Sequence, residues 1–398
     1  MTTMADANSL PDASARILVV DDTEANRDLL IRRLQRLGHQ TATAEDGRVA
    51  LEMLAQNSFD LMLLDIMMPG TNGFEVLERV KADDTLKHLP VILISALDDS
   101  ENMAKGISMG ADDYLPKPFN PHILKARVGA SLAKKRLHDR EQLYAKAMER
   151  ELAIARNIQS EFLPDHLPVI DGLELAAWLQ PARHVAGDFY DTFMLGGEGR
   201  RIAVVVADVC DKGVGAALFM AVCRSLLRAL SARIVVPGGD PRAQALELIT
   251  SINDYSARTH DRANMFATLF FGILDADSGN LVYVNGGHEP PLITGPRGVR
   301  TELAPTGPAV GMLPDLEFDA RSEVINPGET LVLYTDGVID AHDGDGTRFS
   351  RRRLLELASQ PVPSAQAMVD RIRCAVQAHA RDVSPFDDIT LLVARLSG

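Results

Sequence analysis

Four aspartates in the C-terminal half each stand where an apolar run meets a turn: Asp188 in AGDFYD, Asp208 in VVVADVCDKG, Asp336 in LVLYTDGV and Asp387 in PFDDITLLV. A carboxylate at the mouth of a buried strand is costly to desolvate unless a cation or hydrogen-bond donors meet it. Four such groups in one stretch point to a shared polycation, and an all-oxygen ligand set suits Mg²⁺ or Mn²⁺ better than zinc. The chemistry implied is metal-assisted hydrolysis. A second working set lies in the N-terminal third: Asp21 and Asp22 after ILVV, Asp65 in LLDIMMPG, Ser95 in VILISA and Lys117 in DYLPKP. Any one of these alone reads as a turn residue or a helix cap. Together, three carboxylates can hold Mg²⁺, while a lysine and a hydroxyl can stabilise the oxygens of a phosphoryl group carried by one of them.

These side chains need elements to position them. From Arg16 the runs ILVVDD, HQTATAE, DLMLLDIM, PVILISAL and DYLPKP read as five strands, separated by segments such as EANRDLLIRRLQRLG with apolar residues at helical spacing. That alternation predicts an α/β fold, a doubly wound parallel sheet with helices on both faces, whose ligands sit at the carboxyl ends of the strands. The C-terminal part instead mixes strand-like LELAAWLQP, RIAVVVAD, ATLFFGILDA, GNLVYVNGG, ETLVLYTDG and ITLLVARL with helical GAALFMAVCRSLLRALSAR and PRAQALELITSINDYSARTH, and a third helix from about Arg352. Strands joined mostly as hairpins, with a few long helices, predict an α+β sandwich. The TDG and NGG turns carry glycine where a positive φ is expected.

A chain of 398 residues suggests two or three domains. A hydrophobic fraction of 46% and a charged fraction of 24% are those of globular protein. No apolar run approaches the roughly 20 residues that cross a bilayer. MTTMADANSLPDASAR lacks the basic and apolar regions of a signal peptide and reads as a short disordered tail. Cys210, Cys223 and Cys374 have no metal-ligand spacing, which fits a reducing cytoplasm, and Cys210 reads as a small core residue. A net charge of −14 argues against general affinity for nucleic acid or anionic membranes. No basic recognition helix is apparent.

The N-terminal set, from DD through LLDIMMPG to SA and KPF, resembles the receiver domain of two-component response regulators over its whole length. The resemblance implies that Asp65 is the phosphoacceptor and that a sensor histidine kinase is its donor. Asp21, Asp22, Asp65 and the Met67 carbonyl would hold Mg²⁺, Ser95 and Lys117 would contact the phosphoryl group, and Tyr114 would be the switch aromatic. It also implies a cis peptide at Lys117-Pro118.

The next stretch, from about Gly129 to Phe162, has no proline and is rich in Ala, Leu, Glu, Lys and Arg, which predicts a long helix. Leu137, Tyr144 and Ile158, with Met148, Ala155 and Phe162, fall near heptad positions; Glu141 and Glu151 interrupt the seam. The pattern fits a short dimeric coiled coil or a helix packed on its own domain. A homodimeric signalling helix is the expectation adopted, because a receiver must transmit something to its output.

IQSEFLP, AGDFYD, ADVCDKG, NGGHEPP, INPGETLVLYTDGVIDA and DDIT appear in one order that resembles the metal-dependent PPM protein phosphatases, in the bacterial branch of sporulation and stress-response serine phosphatases. The resemblance runs from about Gln159 to the end. It implies two Mg²⁺ or Mn²⁺ ions, with Asp188, Asp208 and the Val209 carbonyl at the core and Asp336 and Asp387 completing one shell. Such ions would polarise the phosphate and acidify a water between them. Asp191 and Asp388 read as supporting or structural groups. Arg183 lies where eukaryotic members place a phosphate-binding arginine, a role its guanidinium fork suits; a surface arginine is the plainer reading. His184, His288 and His342 are general-acid candidates that more simply cap turns or pack. Two departures stand out: DVCDKG puts Asp211 where the family commonly has glycine, and VAGD has Ala186 in place of glycine. Neither removes a ligand. Asp211 either joins the metal and water network or tolerates a left-handed turn.

These readings divide the chain into a tail (1–14), a receiver (15–130), a helical connector (131–163) and a phosphatase domain (164–398). The expected function is a cytoplasmic response regulator with a phosphoserine/phosphothreonine phosphatase output. Its implied substrate is a phosphorylated anti-sigma-factor antagonist in a partner-switching pathway. The alternative is a non-catalytic adaptor that keeps the fold to bind a regulator; retention of all four carboxylates speaks against it.

Overall fold

The computed structural model describes residues 14–96, 100–164, 166–196, 200–259, 265–381 and 383–397. The tail expected over residues 1–14 lies, apart from Ser14, outside them. The chain divides into two compact units, Met1–Met148 and Glu149–Gly398.

In the first unit, β1 (Arg16–Val20), β2 (Gln40–Ala44), β3 (Leu61–Asp65), β4 (Val91–Ala96) and β5 (Asp113–Lys117) form one all-parallel sheet in the order β2-β1-β3-β4-β5. β3 is buried along its whole length, as a central parallel strand covered on both faces must be. One apolar cluster (Leu18, Val20, Met62, Leu64, Val76, Val80) fills one face of the sheet, and another (Ile17, Val19, Leu61, Leu63, Ile92, Ile94) fills the other. The helices are α1 (Glu24–Arg36), α2 (Gly47–Gln56), α3 (Gly73–Ala82) and α4 (Ser100–Ser108). Asp46 and Asn72 cap α2 and α3 by accepting from the Val49 and Glu75 N–H groups.

The long helix α5 (Pro121–Phe162) begins upstream of the stretch singled out from sequence, with Pro121 in its first position, where a missing N–H costs nothing. Leu124, Val128 and Leu132, four apart, bury against the receiver sheet. Beyond them Leu137, Leu143, Tyr144, Met148, Ile154 and Ile158 are all exposed.

The second unit is a four-layer sandwich. One antiparallel sheet runs β13-β10-β9-β8-β7 and the other β12-β11-β14-β15-β6. The strands are β6 (Leu173–Gln180), β7 (Phe189–Met194), β8 (Arg201–Val209), β9 (Ala267–Asp275), β10 (Asn280–Gly286), β11 (Leu292–Gly295), β12 (Gly298–Glu302), β13 (Arg321–Val324), β14 (Thr330–Tyr334) and β15 (Ile389–Leu396). Alternate residues of β8 face opposite ways, and both faces are buried. Ile202, Val204 and Val206 meet Leu331, Leu333 and Leu392 between the sheets. Ala203, Val205 and Ala207 meet Phe219, Met220, Cys223 and Leu248 of α6 (Val214–Ile234) and α7 (Pro241–Thr259). On the far side Val332, Tyr334, Leu391 and Val393 pack under α9 (Arg351–Ala358) and α10 (Ala365–Ala380). The expectation that no apolar run is long enough to cross a bilayer is corrected: among the described residues α6 is a helix long and apolar enough to do so by length and composition, yet it packs its buried face into this core.

Two expectations of local structure change. The single helix expected from about Arg352 is two, α9 and α10, parted at 359–364, where Pro361 and Pro363 cannot donate to a helical ladder. The TDG glycine, Gly337, is not a positive-φ residue: it lies inside the short helix α8 (Asp336–Ile339). Glycine is needed there because a Cβ would stand 1.9 Å from the Asp388 carbonyl oxygen. The second glycine of NGG, Gly287, does have φ +68°.

Candidate functional site

The parallel register of β1, β3, β4 and β5 sets their carboxyl ends side by side, and the residues there converge. Oxygens of Asp21, Asp22 and Asp65 lie within 4.8 Å of one another. Lys117 Nζ donates to Asp65 Oδ2 at 2.7 Å and sits 3.1 Å from Asp21 Oδ2. The Met67 N–H reaches Asp65 Oδ1 at 3.4 Å. Asn26, not singled out from sequence, donates to both oxygens of Asp21. Burial raises the Asp65 pKa, with Lys117 opposing and Asp21 adding repulsion. Burial would lower the Lys117 pKa, but the bonds and charges of Asp65 and Asp21 raise it overall. Three carboxylates facing one ammonium leave a negative excess that suits a divalent cation. Ser95 is buried, its hydroxyl turned to the Ala96 carbonyl at 3.4 Å. Tyr114 is half-buried, with the Arg127 guanidinium 4.4 Å from its ring centre. The Lys117-Pro118 peptide is cis.

In the second unit, antiparallel pairing brings the aspartates together in twos. Phe189 pairs with Ala207, so Asp188 before β7 and Asp208 in β8 fall opposite one another. Tyr334 pairs with Leu391, so Asp336 after β14 and Asp387 before β15 meet at the same end of their ladder. Asp188 is buried; Thr335 and Thr390 donate hydroxyls to its Oδ2 at 2.7 and 2.8 Å. Asp388 accepts backbone N–H bonds from Ala182 at 2.7 Å, Gly187 at 2.6 Å and Asp188 at 3.5 Å, which fixes the turn ahead of β7. Gly187 packs close to the Val209 carbonyl: a Cβ there would lie 3.2 Å from that oxygen. Lys212 Nζ pairs with Asp387 Oδ2 at 2.7 Å.

Burial, then the neighbouring Asp208 and Asp388, push the Asp188 carboxyl well above the usual range. Burial and the charge of Asp336 push Asp208 up to about 7, although Asp188 lies within hydrogen-bonding reach of it. Asp336 is raised by burial and then by Asp387 and Asp340. Carboxylates that approach so closely while desolvated need a proton or a cation between them. Among the described residues only the receiver trio packs three carboxylates within 4.8 Å of one another.

Asp191 stands apart from this group. It is buried beneath α6, bidentate with Arg228 at 2.7 Å and 3.0 Å from Arg224 Nε. Asp191→Ala leaves two arginines uncompensated, and urea unfolding should show a loss of about 3–5 kcal/mol. Asp211 adopts φ +73° and accepts from the Lys212 N–H, so it tolerates a left-handed turn. His288 is buried against Thr268, and burial drives its pKa down to about 4, so it is neutral near pH 7. Cys210 Sγ accepts from the Phe266 N–H at 3.2 Å.

Beside the carboxylates lies a cleft of about 940 Å³, lined among others by Arg183, Lys212, Asp340, His342, Phe386 and Asp387. Arg183 is exposed on its wall, and His184 is exposed nearby. Sequence reasoning passed over Thr335, Thr390, Lys212 and Glu289, the last raised in pKa by burial and by Asp336. All four lie inside the quoted motifs, but hydroxyl and ammonium partners of a carboxylate carry no signal until the strands are paired.

The family model for Stage II sporulation protein E (SpoIIE) matches residues 198–397, half of the chain. This chain belongs to the SpoIIE family. The model for the response regulator receiver domain matches residues 17–129. The chain is thus a response regulator with an N-terminal receiver fused to a PPM-type SpoIIE-family phosphatase domain. It is 42% identical over 261 residues to protein IcfG of Synechocystis sp., a match covering 61% of this chain and 41% of IcfG. It is 49% identical over 115 residues to response regulator PleD of Caulobacter vibrioides, covering 29% of this chain and 25% of PleD. The chain therefore spans less than half the length of either relative. The SiaA-PP2C domain of Pseudomonas aeruginosa shares the fold, with a TM-score of 0.52 and 22% identity over 64% of this chain and 98% of that domain. The SpoIIE-family match begins after Asp188, so strand pairing is what ties that residue to Asp208.

Proposed function

We propose that phosphorylation of Asp65 controls a Mg²⁺- or Mn²⁺-dependent phosphoserine/phosphothreonine phosphatase in this chain, acting in the cytoplasm. The supporting observation is the close approach of the buried Asp188 and half-buried Asp208 carboxyls, with Asp336 and Asp387 adjoining and Lys212 paired with Asp387. Asp188, Asp208 and the Val209 carbonyl would hold the core of a two-ion centre, and Asp336 and Asp387 would complete one shell. Bound there, the ions supply Lewis acidity toward the phosphoryl oxygens and acidify the attacking water. The chain's own residues orient this set. Thr335 and Thr390 fix the rotamer of Asp188, Asp388 ties down the turn that carries it, and Arg183 offers a fork to the phosphate dianion from the cleft wall.

In the receiver, Asp21, Asp22, Asp65 and the Met67 carbonyl would hold Mg²⁺, with Ser95, Tyr114 and Lys117 answering the phosphoryl group delivered by a sensor histidine kinase. Family membership supports a phosphorylated anti-sigma-factor antagonist as substrate. The exposed apolar residues of α5 support a homodimer through that helix. Sedimentation with and without beryllofluoride should show a dimer in at least one state; a monomer in both removes the coiled coil.

The activity is tested by Mn²⁺-dependent phosphate release from a phosphoserine anti-sigma-factor antagonist, using the full chain with and without beryllofluoride. Turnover that depends on Mn²⁺ and responds to beryllofluoride is expected; none in either state leaves the adaptor reading. Arg183→Ala should lower kcat/KM on the phosphoprotein about tenfold, the scale of one lost charge-assisted bond, with an unchanged Tm. A near-normal rate returns Arg183 to the surface.

A further inference from the structure

Lys212 is the residue that the proposed mechanism does not use. It follows Asp211, whose left-handed backbone turns the chain just before α6, and it reaches across to the segment ahead of β15. There its ammonium makes three interactions at once. It pairs with Asp387 Oδ2 at 2.7 Å, donates to the Phe386 carbonyl at 2.7 Å and lies 4.3 Å from the centre of the Phe386 ring. The Asp211 carboxylate accepts from the Lys212 backbone N–H, at 2.8 Å. The ammonium also acts on Asp336, whose charge it favours against burial and the repulsion of Asp387. One lysine therefore neutralises the Asp336–Asp387 side of the centre, while among the described residues no ion pair serves Asp188 or Asp208.

We propose that Lys212 is a resident counter-ion for the Asp336–Asp387 side, and that a divalent cation binding there competes with it and displaces it. This rests on the two-ion reading of the preceding subsection. An ammonium and a dication that share Asp387 repel each other at contact distance, so each weakens the other's hold on that carboxylate. The side chain has somewhere to go: Lys212 already lines the same cleft as Arg183, and its stem can rotate without unpacking a core residue. The metal-free domain is thereby kept from carrying four unopposed carboxylates, and the ion on this side binds more weakly than its ligand set alone would allow.

The test is calorimetric titration of the full chain with Mn²⁺, in an Asp22→Ala background that weakens the receiver site. Lys212→Met keeps the stem and removes the charge; Lys212→Arg keeps the charge. Lys212→Met should bind the weaker of the two Mn²⁺ ions about five-fold more tightly than wild type, the scale of one partly exposed ion pair, and Lys212→Arg should not. The metal-free Lys212→Met protein should also melt lower than wild type, and Mn²⁺ should restore it. Equal or weaker binding by a folded Lys212→Met overturns the displacement while leaving the two-ion centre in place. Absence of binding heat in both wild type and Lys212→Met overturns the centre itself, and the displacement with it.

Discussion

Asp208→Asn should lower Mn²⁺-dependent phosphatase activity by about 10²–10³-fold, the scale of losing one preorganised electrostatic contact with a transition state. The same substitution should raise the stability of the metal-free protein, an opposite sign that separates a site residue from a structural one. Burial and the neighbouring carboxylates raise the Asp208 pKa to about 7 in the folded chain, from the ordinary 3.8. A carboxyl raised by folding contributes most below its unfolded pKa, and that contribution is lost as pH rises through the folded value. Metal-free wild type should therefore lose on the order of 2–4 kcal/mol between about pH 4 and pH 7 from this group. Asp208→Asn should flatten that slope, and saturating Mn²⁺ should flatten it in wild type. Thermal melts across this pH range, with chelator and with Mn²⁺, check both. A metal-free Asp208→Asn protein less stable than wild type at pH 7.5 would show that the carboxylate is satisfied by the fold alone.

Asp65→Asn should abolish acid-labile phosphate incorporation from a small-molecule phosphodonor. It should also remove any response of the phosphatase to that donor. The expectation rests on the contacts: Asp65 combines burial at the end of β3, a 2.7 Å bond to Lys117 and a place within 4.8 Å of two further carboxylates. Asn keeps the shape but gives up both the nucleophilic charge and the attraction to Mg²⁺. Persistent labelling of Asp65→Asn, located by mass spectrometry at another residue, would move the phosphoacceptor elsewhere.

The receiver was legible because a parallel sheet writes itself as continuous apolar runs, and LMLLD and VILIS are nearly pure examples. The second domain was legible where its strands are buried on both faces, as in RIAVVVADV. β12 and β13 went unread because GVRTE and RSEV, at the ends of their sheets, are exposed and carry almost no apolar signal. β7 was hidden by Asp191, a buried charge that reads as a loop residue until Arg224 and Arg228 of α6 are seen to meet it. At the site, residue types and strand-end positions drew attention to Asp188, Asp208, Asp336 and Asp387. Their grouping into pairs depends on antiparallel register, which no local pattern encodes. Gly337 shows the same limit: its turn-like context suggested φ, whereas the constraint is the carbonyl of Asp388, many residues away just ahead of β15.

The most direct measurement is an anomalous-difference map at the manganese edge, from crystals of the full chain grown with Mn²⁺. Two peaks are expected among Asp188, Asp208, Asp336 and Asp387, one of them touching the Val209 carbonyl, with Lys212 Nζ withdrawn from Asp387. A well-ordered domain with no peak between these carboxylates, at Mn²⁺ concentrations that fill the receiver site, would contradict the account.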